Sequence, residues 1–237
     1  NNIRPLVLGE KIVDAKKTYA LASETTTLDY LGYTTKHHLS KGQMLLIDTH
    51  NKVHIQSGIT KRQATCVFEY IYFSREDSLI HDRLVANERL ELGKALACQF
   101  RALNLQADIV IDVPSSAYLC AEGLAKGLEI PYRRGLIKNR HIGRSFISST
   151  QKLREHIVRQ KLNPIRPFIE GKKVAVVDDS IVRGTTSKHI VSLLRDRGAK
   201  EVYFVSASPP LKHPCPYGID ISNRKEMIAS QKSIDSI

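Results

Sequence analysis

Lys172-Lys173-Val174-Ala175-Val176-Val177-Asp178-Asp179-Ser180-Ile181-Val182-Arg183-Gly184-Thr185-Thr186-Ser187 is the stretch whose reading decides the fold. Val174 to Val177 read as a strand buried on both faces, as in a parallel sheet. Two adjacent carboxylates at the end of such a strand are costly unless paired or used. The Gly-Thr-Thr turn then opens a helix whose apolar residues Ile190, Val191, Leu193 and Leu194 share one face. A helix N-terminus offers unpaired N–H groups and the positive end of a dipole, which suits a phosphate. Acids and phosphate cradle lie a few residues apart, a pairing that suits a sugar phosphate. A capped helix alone would explain one hydroxyl, but one cap does not need two acids. The strand ending in Asp-Asp is also similar to the Mg²⁺ strand of P-loop nucleoside triphosphatases. That reading requires G-x-x-x-x-G-K-[ST], which the chain lacks.

The 237 residues can bury a sizeable core, and their length allows one or two domains. No run of 18 apolar residues occurs, so no membrane partner is expected. The formal net charge of +12 suits a polyanionic ligand, either nucleic acid or a small polyphosphate. The basic residues recur around 133–144, 152–161 and 195–200 rather than in one tract, which makes nucleic acid the less favoured partner. The four cysteines, Cys66, Cys98, Cys120 and Cys215, are widely spaced without C-x-x-C. A reducing, cytoplasmic setting is therefore expected. Cys98 and Cys120 fall in helical patterns and read as small core residues. The start, Asn1-Asn2-Ile3-Arg4-Pro5, has neither a signal peptide's apolar core nor an initiator Met. The chain is expected to be trimmed or incomplete there.

Outward from the central stretch, Asp108–Pro114 reads as a first parallel strand and Pro114–Ala117 as a turn into a helix. A turn after a parallel strand lies at the ligand-binding edge of the sheet. Residues 132–136 and 202–207 read as further strands of that sheet, and Arg83–Leu105 as a long amphipathic helix. The fold class expected is α/β: a mostly parallel sheet of strands near 108–113, 132–136, 174–178 and 202–207, flanked by helices. A small β-rich segment precedes it, with short strands at 4–9, 19–22 and 43–47. Residues 66–73, apolar and aromatic around Glu69, read as a core strand. Between Ile137 and Ile147 three cations in seven residues surround a glycine, which suits a mobile clamp over a polyphosphate. Residues 154–162 read as a basic helix.

Val-Asp-Asp-Ser-Ile-Val-Arg-Gly-Thr-Thr-Ser at 177–187 resembles the phosphoribosyl pyrophosphate (PRPP) motif of the type I phosphoribosyltransferases. Further segments are similar to the amidotransferase branch of that family. They are Cys66–Ser78, Val113-Pro114-Ser115-Ser116, Lys138-Asn139-Arg140-His141-Ile142-Gly143-Arg144 and Pro214-Cys215-Pro216-Tyr217. The resemblance implies displacement of pyrophosphate from C1 of PRPP by ammonia, the opening step of purine synthesis. It implies that Asp178 and Asp179 hold ribose hydroxyls and Mg²⁺, with Ser116 contributing to the metal site. Arg183, Gly184, Thr185, Thr186 and Ser187 would hold the 5′-phosphate, and Ser180 would also bind PRPP. Ser115 and Ser116 would face the pyrophosphate, with Lys138, Arg140 and Arg144 closing over it. Ser115 stands where the family has an acid, so pyrophosphate or Mg²⁺ handling is expected to differ from the family's. Ser74 and Glu76 replace Ala and Pro, which loosens that turn.

By the same resemblance, residues 1–62 are similar to the end of a glutaminase domain and 63–237 to the transferase domain. The glutaminase's N-terminal catalytic Cys has no counterpart, because Asn1 stands first. Any transfer by this chain is expected to use free ammonia, and no glutaminase residue is assigned. Cys66 and Cys215 match two ligands of a [4Fe–4S] cluster carried by some members. The C-x-x-C that completes the set is missing, so no cluster is expected in this chain. A homo-oligomer is expected. The alternatives are an inactive remnant or structural subunit, and a PRPP-sensing regulator or nucleic-acid binder on the same fold. No helix-turn-helix or winged pattern supports the last.

Overall fold

The computed structural model describes residues 3–58, 64–139, 162–217 and 223–237. The chain forms two compact units, 1–89 and 90–237.

The first unit is β-rich, as its sequence predicts. Strands β1 (Val7–Val13), β2 (Lys16–Ala22) and, beyond the helix α1 (Thr25–Tyr30), β3 (Thr34–His38) form an antiparallel sheet in the order β2-β1-β3. Asp14 and Ala15 join β1 to β2 with φ of 47° and 59°. Two left-handed residues give the turn whose twist matches that of the flanking strands. β4 (Gln43–Ile47) and β5 (Val53–Ser57) form a separate hairpin. Val7, Leu8 and Leu28 are buried, Leu28 completely at 0% exposure.

Residues 69–73 differ from the expected core strand. Glu69–Phe73 is a π-helical turn. Its β-favouring aromatics are overruled by tertiary contacts that satisfy helical carbonyls. Arg89 donates from Nε to the carbonyl of Tyr70 at 2.7 Å and from Nη2 to that of Ser74 at 2.8 Å. Carbonyls at a helix end require such partners. The embedded Glu69 is buried, and it accepts from Arg4 Nη1 at 2.7 Å and from Ser74 Oγ at 3.1 Å. Arg4 also lies over the Phe73 ring, 4.5 Å from its centroid. A buried carboxylate deprived of a charged partner is destabilising. Arg4 is half exposed, so Arg4→Ala should cost about 1 kcal/mol rather than the full cost of breaking a buried pair. Urea unfolding of the two proteins would show it as a lower midpoint with an unchanged slope.

The second unit is the α/β layer. The helix α2 (Val85–Ala102) contains the division between units and is followed by β8 (Ile109–Asp112), after the two-residue strands β6 (Leu79–Ile80) and β7 (Arg83–Leu84). β8 is one edge of a three-stranded parallel sheet. β11 (Lys173–Asp178) is its centre and β12 (Glu201–Ser206) its other edge. Val174 to Val177 are 0% exposed, which is the burial on both faces that their unbroken apolar run predicts. Ile109, Ile111, Val113, Val174 and Val176 form one core with Ile190 and Leu194 of the helix α4 (Thr185–Asp196). On the opposite face lies α3 (Tyr118–Leu128), which packs against β8 and β11.

Residues 132–136 do not form the fourth strand expected from the sequence. They make a single bridge, Tyr132 to Val110. A tight turn then redirects the chain, with the Gly135 N–H donating to the carbonyl of Arg133 at 2.9 Å. Strand β9 (Leu136–Lys138) pairs antiparallel with β10 (Leu162–Pro164) instead. Cys120 is buried as expected, but Cys98 is exposed. The α2 pattern therefore gives helical phase without naming every face. The basic helix read at 154–162 lies outside the described residues, except that Leu162 opens β10. Among the described residues no helix is long and apolar enough to cross a membrane.

Candidate active site

The carboxyl ends of β8 and β11 lie side by side, with Val177 paired to Asp112 and Asp178 to Ser206 of β12. Alternation along β11 sends Val174, Val176 and Asp178 to one face and Val177 and Asp179 to the other. Asp178 is 9% exposed, and its Oδ1 accepts the Asp179 N–H at 2.9 Å. Burial, and then the neighbouring Asp179 charge, push its carboxyl up to about 7. A proton or a cation relieves that cost.

Asp179 is the hub. Ser116 Oγ donates to its Oδ2 at 2.5 Å, and Ser180 Oγ donates to its Oδ1 at 2.6 Å. The Ser116 bond joins the turn after β8 to the end of β11, segments 63 residues apart in sequence. The cis peptide Pro114–Ser115 lies in the same turn, and Ser115 is exposed.

The loop after the acids enters α4 at Gly184, whose φ is +77°. Only glycine adopts that conformation readily. Thr185 and Thr186 are exposed at the first turn of α4, and Ser187 Oγ donates back to the carbonyl of Gly184 at 3.0 Å. A twelve-residue helix thus presents its N-terminus beside the acid pair. Arg183 is exposed and paired with Glu226, and the Ile228 N–H donates to the carbonyl of Val182 at 2.9 Å. Residues 223–231 therefore support the loop from outside, a role that their short polar sequence did not announce.

The structure gathers Ser116, Asp178, Asp179 and Ser180 into one hydrogen-bonded cluster and puts Arg183 to Ser187 on the adjoining turn. Lys138 is exposed at the end of β9. Arg140 and Arg144 lie outside the described residues. Cys66 and Cys215 are both half-buried, in different units. Asp112 was not singled out by sequence reasoning. The signal for it was an acid closing the apolar run Ile109–Val113, level with the central acids. Among the described residues no group of three His, Cys, Asp or Glu side chains is placed to hold a metal ion. The two carboxylates and the Ser116 hydroxyl are nevertheless all-oxygen donors. Such a set fits Mg²⁺, which takes one or two protein carboxylates and completes its shell with water and substrate phosphates.

Residues 82–218 match the family described as phosphoribosyl transferase domain. The chain is 46% identical to the amidophosphoribosyltransferase of Bacillus subtilis, over all of this chain and 48% of that protein. It is 40% identical to that of Escherichia coli, with the whole chain and 48% of the relative covered. Among solved structures, a glutamine PRPP amidotransferase from B. subtilis complexed with ADP and GMP superposes with a TM-score of 0.86 at 44% identity. That likeness covers all of this chain and 50% of the solved one. The chain thus spans about half the length of the curated relatives it matches.

Proposed function

The chain belongs to the phosphoribosyl transferase domain family, and from that premise we propose that it displaces pyrophosphate from C1 of PRPP with ammonia, giving 5-phosphoribosylamine. The observation that carries this reading is the Ser116–Asp179 hydrogen bond of 2.5 Å, which makes one site of the two turns that a PRPP molecule must bridge. The names of the relatives supply the ammonia-transfer branch.

In this reading the 5′-phosphate sits on the turn Arg183–Ser187, where the first N–H groups of α4 are unpaired within the helix. Asp178 and Asp179 accept the ribose hydroxyls. Ser115 and Ser116 face the pyrophosphate, with Lys138, Arg140 and Arg144 on its outer side. Nitrogen attacks C1, the C1–O bond breaks with its electron pair leaving on pyrophosphate, and the new ammonium group sheds a proton. The attacked carbon gains positive character, so positioning and fixed charge carry the catalysis. Mg²⁺ held by Asp178, Asp179 and Ser116 would neutralise the leaving group. We assign residues 63–237 to the transferase and 1–62 to the end of a glutaminase domain. Self-association and a cytoplasmic setting belong to the same proposal.

The test is release of pyrophosphate from PRPP with ammonium chloride as nitrogen donor, alongside calorimetric titration of PRPP with Mg²⁺. Turnover that saturates in PRPP is expected. PRPP binding without turnover would instead mark a sensing module, and absence of binding would overturn the site.

A further inference from the structure

Resting on that reading, we propose that Arg134 is a further pyrophosphate-side binding residue, with Asp112 as its positioning residue. Asp112 closes β8 and is only 3% exposed. Its neighbours Ile109, Ile111 and Val113 all point into the core shared with α4. Strand alternation therefore turns Asp112 to the opposite face, where α3 packs. A carboxylate buried there needs a partner. Tyr132 provides one, its hydroxyl donating to Asp112 Oδ1 at 3.1 Å. Arg134 provides charge, acting on both Asp112 and Tyr132.

Arg134 itself is exposed, and its Cζ lies 5.9 Å from the ring centroid of Tyr118. Tyr118 is the first residue of α3, directly after the Pro114–Ala117 turn. The Tyr118 ring face thus seats one long, flexible cation at the start of α3, and the buried acid's charge favours that placement. Guanidinium is the side-chain group whose planar fork best matches phosphate oxygens, and holding it in place reduces the rotamer entropy lost on binding. Ser115 and Ser116 carry no charge, so the exposed guanidinium beside Tyr118 adds a formal positive charge to what these hydroxyls offer an anion. A scaffolding role alone, pinning residues 131–135 to the sheet, would require the acid and the phenol but not an exposed arginine over Tyr118.

Three ligands separate these roles when titrated calorimetrically against the chain: PRPP with Mg²⁺, inorganic pyrophosphate, and ribose 5-phosphate. Arg134 is exposed, so Arg134→Gln should fold normally. It should weaken PRPP and pyrophosphate about tenfold, the usual scale for one hydrogen bond to a charged group, and leave ribose 5-phosphate unchanged. Asp112→Asn keeps an acceptor for Tyr132 while removing the charge, and it should give the same selective loss. The double variant should lose little more than either single one, because both remove the same contact. Unchanged pyrophosphate affinity in Arg134→Gln would overturn the proposal, as would equal losses for ribose 5-phosphate. A parent chain that binds neither PRPP nor ribose 5-phosphate would overturn the functional reading itself, and this inference with it.

Discussion

Replacing both central acids, Asp178→Asn with Asp179→Asn, should abolish PRPP binding and leave the fold intact. In the proposed site each carboxylate lost would remove charge-assisted bonds to ribose or metal, so affinity should fall about a hundredfold or more. Of the two serines around Asp179, one can donate to the new amide oxygen and the other can accept from the amide NH2, so the two turns remain joined. Stability should move the other way. The Asp178 carboxyl is pushed from 3.8 up to about 7 by burial first and by Asp179 second. An acid raised in the folded state binds more protons there than in the unfolded chain. Its protonation therefore favours the fold below the unfolded value, and that contribution is lost as pH rises through about 7. The double variant should lack this decline between pH 4 and 7 and melt higher at neutral pH, by about 2–4 °C per kcal/mol recovered. Isothermal titration and melting scans at several pH values read both effects. Undiminished PRPP affinity in the double variant would refute the site.

Gly93→Ala should be among the most destabilising single substitutions in the second unit. A Cβ there would fall 2.1 Å from the Cys120 carbonyl oxygen, 2.7 Å from the Leu124 nitrogen and 2.8 Å from the Gly123 Cα. All three are backbone atoms of α3, so no side chain can swing aside. α2 and α3 would have to separate, opening a layer packed to crystal-like density. The expected loss is about 3 kcal/mol, the upper end for overpacking. Gly123→Ala should behave alike, since its Cβ would lie 2.1 Å from the Leu90 carbonyl oxygen. Because α3 begins at the turn bearing Ser115 and Ser116, PRPP affinity should fall too, even where the variant remains folded. A urea midpoint equal to that of the parent would contradict the helix contact.

The lysine-to-serine stretch at 172–187 was legible because local chemistry decides it. Four consecutive apolar residues can be buried only between two layers, and the acids, glycine and hydroxyls that follow fit a turn into a helix. The alternation of short apolar strands likewise announced a β-rich first unit and an α/β second one. Glu69 was not legible in the same way. Its aromatic neighbours favour a strand, and only the guanidinium of Arg89, which bonds the carbonyls of Tyr70 and Ser74, selects the π-helical turn. Residues 132–136 carry strand-like chemistry, yet the turn at Gly135 limits them to one bridge with β8 and sends the chain to β10.

The sequence by itself determined the sheet's central strand, the Gly-Thr-Thr turn and the acid pair, since each depends on neighbours within a few residues. Tertiary structure alone decided that Ser116 reaches Asp179 across 63 residues. It also decided that Glu226 pairs with Arg183, and that Asp112 is buried beneath Tyr132. Those contacts join residues far apart in the chain, and their geometry follows from how parallel strands align in register, which no local pattern encodes.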